Sequence, residues 1–565
     1  MLSDSTLGEF FRAAIDIPEI PFGEMLWESA QRFPEKIAIV FQGQKISYRE
    51  LDGLANSFAN ALAKLGVKKG DRVGLYMTNR PEYVISVYGI ARLGAVFTPM
   101  NPTYKEGEIE HQLRDAEASV LVVQESLYPL VRNVRTHLSS LQVILIGQRA
   151  EPGTYLFRDL LRQSSPKHPP QVQLSWTEDL VALPYSSGTT GLPKGVMLTQ
   201  QNLVANNIQF ISSGRISDHD TMLLFLPFYH IYGILLMGGG LYAGATLVIM
   251  EAFDLERSLM LAQQHHVTLY YAVPPILVAL DNSARAIQYP LPDLRYIMVG
   301  AAPLAPDVAQ RVQDKLHVTV LQGYGLTEAS PITHLNPVDQ GRIKLDSVGL
   351  SMPNQEQRIV DLEHGERDLD VGEIGELYVR GPHIMKGYWK DPEETAHALR
   401  DGWLATGDIA RMDRDGYVYI VDRKKEMIKY NGFAVSPAEV EAVLFQHPAV
   451  ADCAVIGKPD AEAGEIPKAL IMLRPGEDVT PEVLMAFVES RVAGYKKIRD
   501  VEFVVSIPKT ASGKILRRVL IEAERQKQPA PPVLDEPLPA VAEDVMAPVV
   551  EDETPPPDED RDSRD

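Results

Sequence analysis

An α/β fold is predicted, with a large N-terminal domain of parallel sheets covered by helices plus a small β-subdomain, and then a small α+β C-terminal domain. Three observations carry this. Apolar strands alternate with amphipathic helices of ten or more residues over much of the chain, as parallel sheets require. From Gly372 the sequence turns glycine-rich and strand-rich, in short runs separated by Gly and Asp turns. A length of 565 residues also exceeds what one hydrophobic core holds.

The elements follow in order. FGEMLWESAQRFP has helical spacing and KIAIVFQG reads as a strand; ISYRELDGLANSFANALAKLG is the next helix and DRVGLYM the next strand. IARLGAVFTPMNP, ASVLVVQ and LQVILIG continue the alternation. Ile231–Met250 is twenty residues without a charge, which meets the length of a membrane span. Its five glycines favour instead a buried helix, a glycine turn and the strand ATLVIM. VTLYYAVPPIL reads as a strand running into a Pro-Pro turn, followed by the strand-like LRYIMVGAAPL. Beyond the β-subdomain, SPAEVEAVLFQHP and PEVLMAFVESRV are helical, DCAVIG and ALIMLR are strands, and IPKTASGKILRR reads as a flexible loop leading into a basic helix. No period of 20 to 50 residues repeats, which argues against a solenoid.

Composition narrows the function classes. The formal net charge is −21, which opposes a nucleic-acid surface. From Pro529 to Asp565 there are twelve acidic residues, two arginines, nine prolines and no aromatic side chain, so this tail is expected to be disordered. The lone Cys453 rules out an internal disulfide framework and a cysteine-rich zinc site, and in AVADCAVIG it reads as a buried core residue. MLSDSTLGEFF is not a secretory leader, so a cytoplasmic protein is expected.

The stretch Tyr185–Asn202, YSSGTTGLPKGVMLTQQN, carries the clearest chemistry. Ser186, Ser187, Gly188, Thr189, Thr190, Gly191 and Lys194 combine hydroxyls, converging backbone N–H groups and one cation, which suits a phosphate chain. It is not the GxxxxGK[ST] loop, because Leu192 and Pro193 separate Gly191 from Lys194. A polar turn between the strand-like VALPY and the helical LTQQNLVANN is the plainer alternative. Further on, Gly323, Tyr324 and Gly325 fail as a dinucleotide fingerprint, since Glu328 stands where its third glycine belongs.

This loop, with ISYREL, GAVFTPMNP, LQGYGLTEAS, TGD, DRKKEMIKYNGF and IPKTASGKILRR in order from about Ile46 to Arg518, resembles the adenylate-forming superfamily. That group contains acyl-CoA synthetases, 4-coumarate:CoA ligases, luciferases and peptide-synthetase adenylation domains. The resemblance implies an adenylation domain over residues 1–422, a mobile C-terminal lid over 423–528, and the tail 529–565. ATP would be bound by the phosphate loop from Ser186 to Lys194, by Gly300, Ala301, Ala302 and Pro303, and by Gln322, Gly323, Tyr324, Gly325 and Thr327. Asp408 would take the ribose hydroxyls, an acceptor-only side chain against a diol, with support from Arg423. Mg²⁺ would be held by Glu328 and Thr190. His230 in PFYHIYG, with Tyr232, Ile234, Gly325, Pro331, Ile332 and Lys429, would surround the acid and its adenylate. Lys425 aligns with the hinge pivot, Asn431 and Gly432 with the segment lining coenzyme A's approach, and Lys514 with the catalytic lysine.

Read apart from the resemblance, several of these residues have plainer roles: Asp408 in a turn, the hinge charges in solvent, His230 packed among aromatics. Lys514, His230, Glu328 and Thr190 are the candidate catalytic set. The reaction implied is AMP-forming ligation of a carboxylic acid to the thiol of CoA through an acyl-adenylate. Coumarate ligases and luciferases often carry Gln where this chain has Ala434, which turns the expectation toward medium- and long-chain fatty acids. An aryl-CoA ligase is the alternative, ahead of an amino-acid adenylation domain or a non-catalytic acyl- or nucleotide-binding protein. Peripheral membrane contact and a homodimer are left open.

Overall fold

The computed structural model describes residues 14–186, 193–362, 364–365, 367–424, 426–431, 433–460, 463–510 and 513–527. Two large sheets form the N-terminal domain. One runs in the order 350–351, 332–335, 319–325, 296–299, 269–272, 221–224, 246–249, 37–41 and 44–47, and the six strands from 319–325 to 37–41 are parallel. The other is built on the parallel strands 180–182, 96–99, 72–76, 118–124, 142–146 and 154–156, with the antiparallel Lys194–Thr199 at its flank. Strands such as Val96–Pro99 and Leu269–Ala272 are buried throughout, so they read as near-continuous apolar runs rather than alternating ones. Between the sheets lie helices with matching local signals. Tyr48–Lys64 opens on a capping box, in which the Glu50 amide donates to Ser47 Oγ at 3.3 Å and the Ser47 amide donates to Glu50 Oε2 at 2.8 Å.

The uncharged stretch resolves into the helix Ile231–Ala243, a left-handed turn at Gly244 and the strand Thr246–Ile249. Among the described residues no helix is long and apolar enough to cross a membrane. Its glycines serve close helix packing: a Cβ at Gly239 would stand 2.8 Å from the Phe210 ring on the helix Gln200–Gly214.

One expectation is corrected here. The Pro-Pro of VPPIL starts the helix Pro274–Asn282 rather than a turn, because proline at the first helical positions forfeits no hydrogen bond and its fixed φ is already helical.

An antiparallel five-stranded sheet (356–360, 375–380, 403–412, 399–400 and 418–423) forms the β-subdomain. A second five-stranded sheet, 433–435, 428–430, 464–473, 450–460 and 500–503, belongs to the C-terminal domain. Its core gathers Val440, Cys453, Ile471 and Leu484, apart from the core of the large domain, and Cys453 is fully buried. The last helix is Arg517–Lys527. Lys509 and Ile515 form an antiparallel bridge, and the Thr510 amide donates to the Lys514 carbonyl at 2.8 Å. The acidic tail lies outside the described residues.

Candidate active site

A pocket opens at the C-terminal ends of the parallel strands, where open α/β sheets bind ligands. The strand Tyr296–Val299 delivers Gly300 and Ala301, and Thr319–Gly325 brings Gly323, Tyr324 and Gly325. His230, Tyr232, Thr327, Pro331 and Ile332 complete the wall, and Lys514 enters it from the C-terminal domain. Five segments scattered over the chain thus share one cavity.

His230 is the N-cap of the helix Ile231–Ala243, and its Nδ1 accepts the Tyr232 amide at 3.2 Å. Burial, with the nearby Lys514 charge, lowers its pKa to about 4. The ring is therefore neutral, and since Nδ1 accepts, its proton sits on Nε2. Lys514 has its own pKa lowered to about 8, by burial first and then by Arg423, against the opposing pull of Asp408 and Glu328. Asp408 accepts a hydrogen bond from the Tyr324 hydroxyl and lies 3.4 Å from Arg423 Nε. One carboxylate thus ties the aromatic face of the pocket to Arg423 at the end of the strand Val418–Arg423.

On the phosphate-loop side, Glu328 Oε1 accepts from Ser186 Oγ at 3.3 Å and from the Tyr388 hydroxyl at 3.0 Å. Lys194 Nζ lies 3.1 Å from carboxylate oxygens of both Asp391 and Glu394. Its charge is shared with two anions, so a phosphate chain arriving there would compete with them. Among the described residues no three His, Cys, Asp or Glu side chains converge as a metal cage. A single carboxylate beside a phosphate loop suits Mg²⁺, which commonly takes one or two protein carboxylates and completes its shell with substrate phosphates and water.

Residues 26–389 match the AMP-binding enzyme family, and residues 439–514 match the AMP-binding enzyme C-terminal domain. The chain belongs to this family. Its place there is among the AMP-forming acyl- and aryl-CoA ligases. It is 35% identical over 543 residues to a long-chain-fatty-acid–CoA ligase of Bacillus subtilis (strain 168), covering 91% of this chain and 96% of that one. It is 40% identical over 488 residues to 4-coumarate–CoA ligase 3 of Oryza sativa subsp. japonica, covering 85% and 87%. Among solved structures, ATP-bound MatB from Rhodopseudomonas palustris superposes with a TM-score of 0.83 at 30% identity, covering 89% of this chain and 98% of that one. The apo form of the same protein gives 0.73. This chain therefore superposes better on the ATP-bound form of that protein than on its apo form.

In this AMP-binding enzyme Arg423, Lys424 and Glu426 are paired rather than only solvated. Lys424 Nζ meets Glu376 Oε2 at 2.9 Å, and Arg517 Nη1 meets Glu426 at 3.1 Å. Arg517 also grips the buried Glu441 at 2.7 Å, and Glu426 lies 3.8 Å from Arg423. An ion-pair chain, Asp408–Arg423–Glu426–Arg517–Glu441, therefore runs from beside the pocket into the C-terminal domain.

Not every residue expected at the site faces the pocket. Gln322 turns its amide to the Leu345 carbonyl at 2.7 Å. Ile234 is fully buried one helical turn behind His230, outside the pocket wall. Ala302 and Pro303 continue the loop after Gly300 and Ala301 without lining the cavity. Lys429 is exposed on the strand Ile428–Tyr430, and Asn431, also exposed, has a left-handed φ of 47°. Ser187, Gly188, Thr189, Thr190, Gly191, Lys425 and Gly432 lie outside the described residues.

Three residues were not anticipated. Met298 and Leu326 line the pocket, and Tyr388 contacts Glu328. Met298 was legible, since it precedes Gly300 by two and strand side chains alternate. Tyr388 was not, because sixty residues of sequence separate it from its partner.

Proposed function

We propose that this ligase activates a medium- to long-chain fatty acid with ATP and transfers the acyl group to coenzyme A. The observation that carries the reading is the convergence of Lys514, from the small domain, with His230 and Tyr324 in one pocket. In the first step the acid's carboxylate oxygen attacks the α-phosphorus of ATP, the bond to the bridging oxygen breaks, and pyrophosphate leaves. Two anions meet, so catalysis must supply positive charge and donors already in place. Lys514 would hold its ammonium at the α-phosphate. The neutral His230 would donate Nε2–H to the carboxylate, fixing it without a protonation change.

Tyr324 would stack on adenine beside Gly300 and Ala301, and Asp408 would receive the ribose hydroxyls with Arg423 in support. Ser186, Thr190 and Lys194 would hold the phosphate chain. Glu328, with Thr190, would hold Mg²⁺, which when bound neutralises phosphate charge. In the second step the thiol of CoA attacks the acyl carbonyl and AMP leaves. No protein nucleophile is needed, which agrees with a single, buried cysteine. Rotation about Lys425 would withdraw Lys514 and bring Lys429, Asn431 and Gly432 toward the adenylate, the thiol's side.

The acid is read as aliphatic from the apolar wall of Met298, Leu326, Pro331 and Ile332. A second reading has a specific observation behind it. The Tyr232 hydroxyl is buried without a hydrogen-bond partner. An aryl acid carrying its own hydroxyl would satisfy that group. A panel of C6–C18 fatty acids and hydroxycinnamic acids, scored by AMP and pyrophosphate release with CoA present, separates the two. A higher kcat/KM for 4-coumarate than for every fatty acid would replace the aliphatic reading, and release of ADP and phosphate would overturn both.

A further inference from the structure

We propose that Tyr388 is a positioning residue for Glu328, occupying one carboxylate oxygen so that the other is presented to the metal accompanying ATP. This rests on reading Glu328 as the metal-holding carboxylate. Among the described residues, the hydrogen bonds to the Glu328 carboxylate come from Tyr388 and Ser186, and both fall on Oε1. A carboxylate anchored at one oxygen cannot swing away, and its second oxygen keeps a fixed bearing.

The tyrosine itself is rigidly mounted. The strand Gly387–Tyr388 pairs with Lys194–Thr199, with Val196 opposite Tyr388. The amides of Lys386 and Trp389 donate to the carbonyls of Met197 and Gly195 at 2.9 and 2.8 Å, and the Tyr388 amide donates to Thr395 Oγ1 at 2.8 Å. The same segment also fixes the backbone of Glu328, whose carbonyl accepts the Met385 amide at 2.8 Å. Main chain and side chain of the glutamate are therefore held by one strap. Groups that orient a metal ligand typically account for about 10- to 100-fold in metal affinity.

The test is Mn²⁺ binding to the full chain in the presence of α,β-methylene-ATP, followed by the electron paramagnetic resonance signal of free Mn²⁺. Tyr388→Phe keeps the ring over which Lys194 Nζ sits, 5.8 Å from its centroid, and removes only the hydroxyl. The expected result is an Mn²⁺ Kd raised roughly tenfold, a melting temperature within about two degrees of the parent, and adenylation that needs correspondingly more Mg²⁺. Glu328→Gln run beside it should weaken Mn²⁺ at least as much. If Glu328→Gln weakens Mn²⁺ and Tyr388→Phe binds it like the parent, the positioning role is overturned while the reading of Glu328 stands. If neither variant changes Mn²⁺ binding, the metal reading of Glu328 fails and takes this proposal with it.

Discussion

The lowered pKa of Lys514 makes the adenylation step pH-dependent in a direction that can be worked out in advance. In the free enzyme this lysine titrates at about 8 rather than near 10.5, chiefly because burial disfavours its charged form. Its proposed role needs that charge. The protonated fraction is about nine-tenths at pH 7 and about one-tenth at pH 9, so kcat/KM for ATP should fall roughly tenfold between them. The sign follows from the group being a cation whose active form is lost as pH rises through its pKa. At saturating ATP the limb should move to higher pH, because bound phosphates favour the ammonium. The assay is pyrophosphate exchange with the acid and ATP alone, which keeps the ionising thiol of CoA out of the measurement. Lys514→Arg, charged at every accessible pH, should lose the alkaline limb whatever its absolute rate. Lys514→Ala should lower the plateau on the order of 10²- to 10³-fold, as removal of one preorganised donor does, and flatten the profile. An unchanged limb in Lys514→Arg would refute the assignment, and so would full activity of the parent at pH 9.5.

Removing the Nε2–H donor in His230→Asn should raise the KM for the acid or lower the adenylation rate by roughly 10- to 100-fold, the worth of a hydrogen bond to a charged group; asparagine keeps an N-cap acceptor, so melting should move little. Gly325→Ala should cost roughly 1–3 kcal/mol by thermal or urea unfolding, since its Cβ would stand 2.2 Å from the Pro331 carbonyl oxygen, a backbone atom that cannot step aside without moving the pocket wall. Gly300→Ala should leave stability within about 0.5 kcal/mol, because its nearest contact is an ordinary 3.4 Å, yet raise KM for ATP, beside whose adenine Gly300 is proposed to lie, and for the acid, as the methyl faces Tyr232. Lys425→Pro should slow transfer from synthetic acyl-AMP to CoA more than it slows adenylation, because a fixed φ at the proposed pivot would obstruct rotation; equal impairment of both steps in single-turnover kinetics would remove the pivot role.

The sequence by itself determined the sheet-and-helix order, because each element carries its own local signal: the Ser47–Glu50 box that opens a helix, the glycines that interrupt Ile231–Met250, the apolar runs of the parallel strands. Its resemblance to the adenylate-forming motifs also marked His230, Tyr324, Glu328, Asp408 and Lys514 as candidates, which their residue types alone would not have done. Its errors were local as well, since a Pro-Pro pair is compatible with a turn and with a helix start, and only packing chooses. Tertiary structure alone decided which side chains share a cavity, that Lys194 is met by Asp391 and Glu394, and that Glu328 is held by Tyr388. It also decided that Lys514 crosses from one domain into the pocket of the other. The physical reason is that hydrogen bonds, ion pairs and burial act over a few ångströms of space, whereas periodicity and turn chemistry act over a few residues of chain. A contact between residues sixty or a hundred positions apart leaves no trace in either.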